Sequence, residues 1–262
     1  MKTMITSMNQ KLYENYGKRF IDSWIEKSSN DTKLIISFEG DISEEVNSLE
    51  SEKINIISID STVYNIFRRK FGSFSEANGL NYSKNIKMPG VASFSYNFRY
   101  DAIRFSFKIF SLYKCLELGL IKNDFAWIDS DIVCLKNFSS SDLDQFFPDP
   151  HQLASYLGRD NFPKPNAYSE CGFVGYNFKH PEVFNFIEEM LRNYLNGDIF
   201  LLKEWHDCFL FDTCRKHFES NNYLFKNISI DVTDEEHPFM KTNLGKFFDH
   251  LKGPTRKAAG HS

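Results

Sequence analysis

Apolar positions near the amino end recur at helical spacing. Leu12, Tyr16, Phe20, Ile21, Trp24 and Ile25 predict an amphipathic helix from about Ile5 to Lys27, closed by the turn run Ser28-Ser29-Asn30-Asp31. The period then changes. Lys33–Phe38 (KLIISF) and Ile54–Ile59 (INIISI) are short β-branched runs suited to buried strands, ending at Glu39-Gly40-Asp41 and at Asp60. Residues 67–97 mix Gly, Ser, Asn and aromatics without a period and predict a long loop excursion. From Asp101 to Leu118 the helical spacing returns through Ile103, Phe107, Phe110, Leu112 and Leu116, with Gly119 as the stop. Phe125–Ile128 then forms an apolar run into Asp129-Ser130-Asp131, followed by Ile132–Leu135. Further strands are expected at 153–157, 172–176 and 228–232. Further helices are expected at Pro181–Leu195, with Pro in the first turn, and at Trp205–His217. Strands alternating with helices, without repeats or low-complexity linkers, predict one α/β domain over residues 1–262.

Composition narrows the function classes. With 31 Lys plus Arg against 35 Asp plus Glu, the net charge of −4 provides no field for gathering nucleic acid. No apolar run reaches the roughly 20 residues that cross a bilayer, and MKTMITSMNQ lacks the apolar middle of a signal peptide. The expectation is a cytoplasmic protein without a transmembrane segment, with peripheral membrane contact left open. Five cysteines, odd in number and without a CxxC pair, argue against both a disulfide framework and a zinc cage. The 27 Phe and 12 Tyr supply core bulk and flat surfaces on which a sugar or base can stack.

The candidate chemistry centres on WIDSDIVCL. In extended backbone, residues i and i+2 point the same way, so Asp129 and Asp131 can face one divalent cation at the end of a buried strand. Oxygen ligands suit Mn²⁺ or Mg²⁺, and such an ion can bridge a diphosphate. Acidic residues at the carboxyl end of a sheet strand lie where α/β proteins bind ligands. Near the carboxyl end, His250-Leu-Lys-Gly253-Pro-Thr-Arg256-Lys257 combines an imidazole ligand, a glycine that admits close approach, and cations for phosphate.

The stretch YDAIRFSFKIFSLYKCLELGLIKNDFAWIDSD resembles the GT-A glycosyltransferases, especially the glycogenin-like and lipopolysaccharide galactosyltransferase group, where an Arg-bearing helix precedes a strand ending in DxD. Tyr168–Gly175 resembles that group's Asn-Ser-Gly strand with Glu170-Cys171 in place of Asn-Ser, and the His250 element fits its HxxGxx(K/R) pattern. The resemblance implies a GT-A-type α/β fold, a mixed, mainly parallel sheet flanked by helices. It covers roughly residues 33–257, and the chain is read as a nucleotide-binding half (31–135) and an acceptor half with a metal-binding tail (136–262), preceded by an amino-terminal helix (1–30) outside the family pattern. It implies a hexosyltransferase-like enzyme that uses a nucleotide sugar, UDP-sugar favoured, and a glycan or lipid-linked acceptor. Asp129, Asp131 and His250 would hold Mn²⁺ or Mg²⁺. Phe38, Asp60, Arg104, Asp129, Ser130, Gly253, Arg256 and Lys257 would meet the donor, and Asp207 and Glu170 are the catalytic candidates. The resemblance implies retention of anomeric configuration, whereas a general base at Asp207 would fit inversion. Competing readings are a sugar nucleotidyltransferase, a non-catalytic carbohydrate-binding protein on the same fold, and a metal-dependent nuclease, for which a basic track is lacking.

Overall fold

A computed structural model describes residues 1–84, 92–162, 167–233 and 237–251. The chain begins with a strand, β1 (Lys2–Asn9). It then turns through Gln10–Leu12 and one wide turn, Tyr13–Gly17, closed by the Lys18 amide donating to the Tyr13 carbonyl, into helix α1 (Lys18–Lys27). The helix expected from Ile5 therefore starts at Gln10. Its four-residue rhythm, Leu12, Tyr16, Phe20 and Trp24, continues backwards through Met8 and Met4, so the strand imitates a helix in sequence. Burial distinguishes the two, because neighbouring residues of β1 face opposite cores, Met4 one and Ile5 the other.

Strands β2 (Thr32–Glu39) and β3 (Ile54–Ser58) follow as expected. Helix α2 (Thr62–Phe71) and the antiparallel pair β4 (Leu80–Lys84) and β5 (Ala92–Tyr96) occupy much of the stretch expected to be a loop. Helix α3 (Ala102–Glu117) is capped by the Asp101 carboxylate, which accepts the Arg104 amide. It leads to β6 (Phe125–Ile128) and β7 (Ile132–Cys134). The remainder holds β8 (Gln152–Leu157), β9 (Glu170–Tyr176), α4 (Val183–Asn196), α5 (Asp207–Ser220), β10 (Leu224–Asn227) and β11 (Phe248–His250). The late strand expected at 228–232 thus lies upstream of its predicted place. The Asn227 side chain accepts the Ser229 amide and ends the ladder there, leaving Ile230 half exposed.

Seven strands form the main sheet in the order β10-β8-β9-β6-β1-β2-β3, and only β9 runs against the rest. A second sheet pairs β7 with β11. Alternating side chains of the central strands feed two cores. Ile5, Ile35, Trp127 and Val174 pack with α2 to α5 on one face. Met8, Ile36, Ile128 and Phe173 pack with α1 and the β7–β11 side on the other. Burial on both faces explains why these strands read as short apolar runs rather than clean alternation. The carboxyl ends of β1, β2 and β6 and the start of β9 open at one edge of the sheet, where a cavity of about 400 Å³ lies. No helix among the described residues is long and apolar enough to cross a membrane.

Candidate functional site

Backbone pairing assembles the first wall of this cavity. At the end of β6 the chain leaves the core, and the Asp129 amide still donates to the Gly172 carbonyl of β9 at 3.0 Å. Three residues later β7 begins, pairing antiparallel with β11 so that His250 lies opposite Ile132, and the Leu251 amide donates to the Asp131 carbonyl at 2.9 Å. The ladder carries His250 to the aspartates across a long stretch of sequence. Its Nε2 lies 3.1 Å from Asp131 Oδ1 and 3.6 Å from Asp129 Oδ2, and the ring is fully buried. One ligand atom from each residue falls within 4.8 Å of the others, a spacing that suits one divalent cation held by two oxygens and a nitrogen.

Gly172 is what lets the ring in. A Cβ at this position would lie 2.6 Å from His250 Cε1 and 3.0 Å from Nδ1. Next to Gly172, whose amide donates to it at 3.2 Å, Glu170 accepts from Arg159 at 3.3 Å and lies 3.0 Å from His237 Nε2. Glu170, His237 and His250 form a second convergent group that shares the imidazole of the first.

The second wall is built from charge. Lys108, buried on α3, ion-pairs with Asp207 at the start of α5, lies 3.5 Å from Asp129 Oδ1 and donates to the Cys171 carbonyl at 2.6 Å. Burial works against this ammonium, but Asp129 and Asp207 outweigh it and hold its pKa well above the ordinary lysine range. Asp129 also accepts from the Trp127 indole at 2.7 Å. Asp207 is 4% exposed, and its Oδ1 has no hydrogen-bond partner among the described residues. Beside it, His206 caps α5 through Nδ1, which accepts the Phe209 amide, while Nε2 meets Glu204 at 2.9 Å.

The third wall comes from the amino end. Ser7, Asn9, Leu12 and Tyr16 line the cavity with Glu39 and Arg104. Asn9 caps the first helical turn through its carbonyl oxygen and donates its side-chain amide to Glu39 at 3.4 Å. Ser7 donates to the same carboxylate at 3.2 Å. Burial pushes Glu39 up to about 7, against the opposing pull of these hydrogen bonds and of Arg104. The wide turn aims Tyr16 toward Ser130 and Asp131. Burial, with Asp131 adding to it, pushes this phenol up to about 12. Arg104 reaches the Tyr96 hydroxyl at 3.4 Å. Burial opposes its charge, and Tyr96, Tyr16 and Asp101 together outweigh that and keep its pKa raised.

Asp129, Ser130, Asp131, Arg104, Glu170 and Asp207 therefore border one cavity, with His250 against its floor. Two donor-site candidates lie elsewhere. Phe38 is fully buried in the core, and Asp60 is exposed and away from the cavity lining. Gly253, Arg256 and Lys257 lie outside the described residues. Both candidates follow from taking β2 as the first strand. With β1 as the first, the residue at that strand end is Asn9, and its neighbour on β2 is Glu39. An Asx residue followed by helical spacing was the available signal. Lys108 also lines the cavity and carried no sequence signal of its own, since it sits inside an apolar periodic run; Cys171 and Cys208 line it too, Cys171 standing out in the sequence only as a departure within the Tyr168–Gly175 element.

No family model and no curated protein matches the sequence. Solved structures do match. The apo structure of the bifunctional glycosyltransferase WbbM aligns over 96% of this chain with a TM-score of 0.51 and 13% identity, and the chain spans 46% of that protein's length. A glycosyltransferase involved in glycosylation of the major capsid of PBCV-1 aligns over 99% of this chain and 98% of its own, with a TM-score of 0.50 and 9% identity. The galactosyltransferase LgtC, in complex with donor and acceptor sugar analogues, aligns over 81% of this chain and 70% of its own, with a TM-score of 0.43 and 11% identity. The mixed, mainly parallel sheet with helices on both faces is the GT-A fold of glycosyltransferases.

Proposed function

We propose that this chain is a metal-dependent glycosyltransferase that moves a sugar from a nucleotide-diphosphate donor, UDP-sugar by preference, to a hydroxyl of a glycan or lipid-linked acceptor. The observation that carries this reading is the meeting of Asp129, Asp131 and His250 beside a cavity whose other walls offer Arg104 and Asp207. In the reaction, the bond from the sugar's anomeric carbon to the diphosphate breaks and its electron pair leaves with the diphosphate. A new bond forms to the acceptor oxygen, whose proton passes to a base.

Asp129, Asp131 and His250 would hold Mn²⁺ or Mg²⁺, which when bound offsets the charge growing on the departing diphosphate. Arg104 supplies a fixed cation and directional donors for the sugar-diphosphate. Asn9, Ser7 and Glu39, at the ends of the first two strands, are placed to hydrogen-bond the nucleoside. Asp207 presents its carboxylate oxygen to the cavity as base or orienting group, with Lys108 balancing its charge. Gly253, Arg256 and Lys257, following His250 in the chain, are assigned to the diphosphate. Residues 1–135 form the nucleotide half in this reading, now including β1, and 136–262 the acceptor half. Five cysteines without a disulfide fit the cytoplasm. A sugar nucleotidyltransferase is disfavoured because β1 runs directly into the turn capped by Asn9, with no Gly-rich phosphate loop.

The test is a thermal-shift screen of UDP- and GDP-sugars with and without Mn²⁺. A rise in melting temperature that requires both ligand and metal, and disappears in Asp131→Ala, is expected. A nucleotide-sugar shift that persists in EDTA would overturn the reading.

A further inference from the structure

Two thiols on the charged wall take no part in this chemistry. Cys171 is the second residue of β9 and Cys208 the second residue of α5, and both line the cavity. Their sulfurs and an Asp207 carboxylate oxygen lie within 4.8 Å of one another. The other three cysteines are buried in the cores. Burial pushes Cys115 and Cys134 up to about 12 and raises Cys214 as well.

Such a pair can hold a soft cation or form a disulfide, and Lys108 decides between these uses. Its ammonium already pairs with Asp207 and donates to the Cys171 carbonyl, so a second cation would sit against a fixed positive charge. Thiol chemistry meets no such obstacle. The hydrogen bonds from Cys171 and His206 hold Cys208 below the usual thiol range despite burial, whereas burial raises Cys171. Cys208 is the attacking sulfur and Cys171 the resolving one.

We propose that Cys171 and Cys208 form an oxidant-reactive dithiol that closes to an intramolecular disulfide in the cavity wall. The oxidant is a peroxide. The Cys208 thiolate attacks one peroxide oxygen, the O–O bond breaks, and with hydrogen peroxide one water leaves as Cys208 becomes a sulfenic acid. The Cys171 sulfur then attacks the Cys208 sulfur, the S–O bond breaks, and a second water leaves. Two thiols are oxidised and one peroxide is reduced. Bridging draws the sulfurs to about 2.05 Å and ties the start of β9, with Glu170 and Gly172, to the first turn of α5 with Asp207.

The experiment is peroxide treatment of the full folded chain, then unfolding, alkylation, intact mass and peptide mapping. The expected result is a loss of about 2 Da before alkylation, as two hydrogens leave. Alkylatable cysteines should fall from five to three, and one linked peptide pair should contain Cys171 and Cys208. Dithiothreitol should reverse all of it. Cys171→Ser and Cys208→Ser should each abolish the link, and the wild-type peptide map decides the matter even if a variant folds poorly. Five alkylatable cysteines after peroxide, a bridge between other cysteines, or sulfinic acid at Cys208 with Cys171 still reduced would each overturn the proposal. None of these readouts needs transferase activity, so this inference and the transferase reading fail separately.

Discussion

The wall carrying Asp129, Asp131 and His250 is set by backbone hydrogen bonds, whereas the wall of Lys108, Asp207, Cys171 and Cys208 is set by side-chain charge. In the first, ladder register brings His250 beside Asp131, and what the arrangement needs of its neighbours is room. In the second, an ammonium and two carboxylates hold one another, and removing any one leaves charge unbalanced in a buried place. A binding constellation and a charge cluster in one cavity thus differ in what they tolerate.

The largest expected effect tests the charged wall. Lys108→Met leaves Asp207 buried without its counter-ion, at a cost of about 3–5 kcal/mol. The melting temperature should fall by roughly 10 °C. Lys108→Met combined with Asp207→Asn should recover much of this loss. A single variant within about 0.5 kcal/mol of wild type by denaturant titration would show that the charges do not hold the wall.

The backbone-set wall has its own weak point. Gly172→Ala brings a methyl group to 2.6 Å from His250 Cε1. Because the ring is buried on a paired strand, we expect Mn²⁺ affinity to fall by about 10- to 100-fold, as for disturbed outer contacts of metal ligands. Calorimetric titration with Mn²⁺ measures this, and unchanged affinity would mean that the ring has room to turn.

The smallest effect concerns the third wall. Burial raises Glu39 from 4.5 to about 7, so the folded state holds this proton more tightly than the unfolded state does. Stability from this group is fully present below the unfolded value, declines as pH rises toward 7, and is flat above it. The amplitude, allowing for solvent screening, is on the order of 1–2 kcal/mol. Glu39→Gln should flatten the corresponding slope in melting temperature between pH 5 and 8, and equal slopes in both proteins would refute it.

The same contrast explains what the sequence revealed. Asp129 and Asp131 were legible because period-2 geometry needs only three neighbouring residues, and the apolar run before them marked the strand. His250 was legible through the resemblance of its element, although the ladder that brings it to Asp131 is a long-range pairing with no local pattern. Lys108 was hidden because its helix is amphipathic around it, and a cation there reads as surface until α5 is packed against it. β1 was missed because Thr3, Thr6 and Ser7 are buried polar residues within it, and its methionines are spaced four apart. Taking β2 as the first strand is what put the expected nucleotide contacts at Phe38 and Asp60, off the cavity lining.

The pairing of β7 with β11 also sets an order in time. A chain made from its amino end exposes both aspartates about 120 residues before His250, on the order of ten seconds at usual elongation rates. Through that interval the nascent protein has both carboxylates but lacks the imidazole that lies beside them in the folded chain. On the proposed reading, capture of an ion belongs to the finished chain, and the arrival of β11 is the event that confers it.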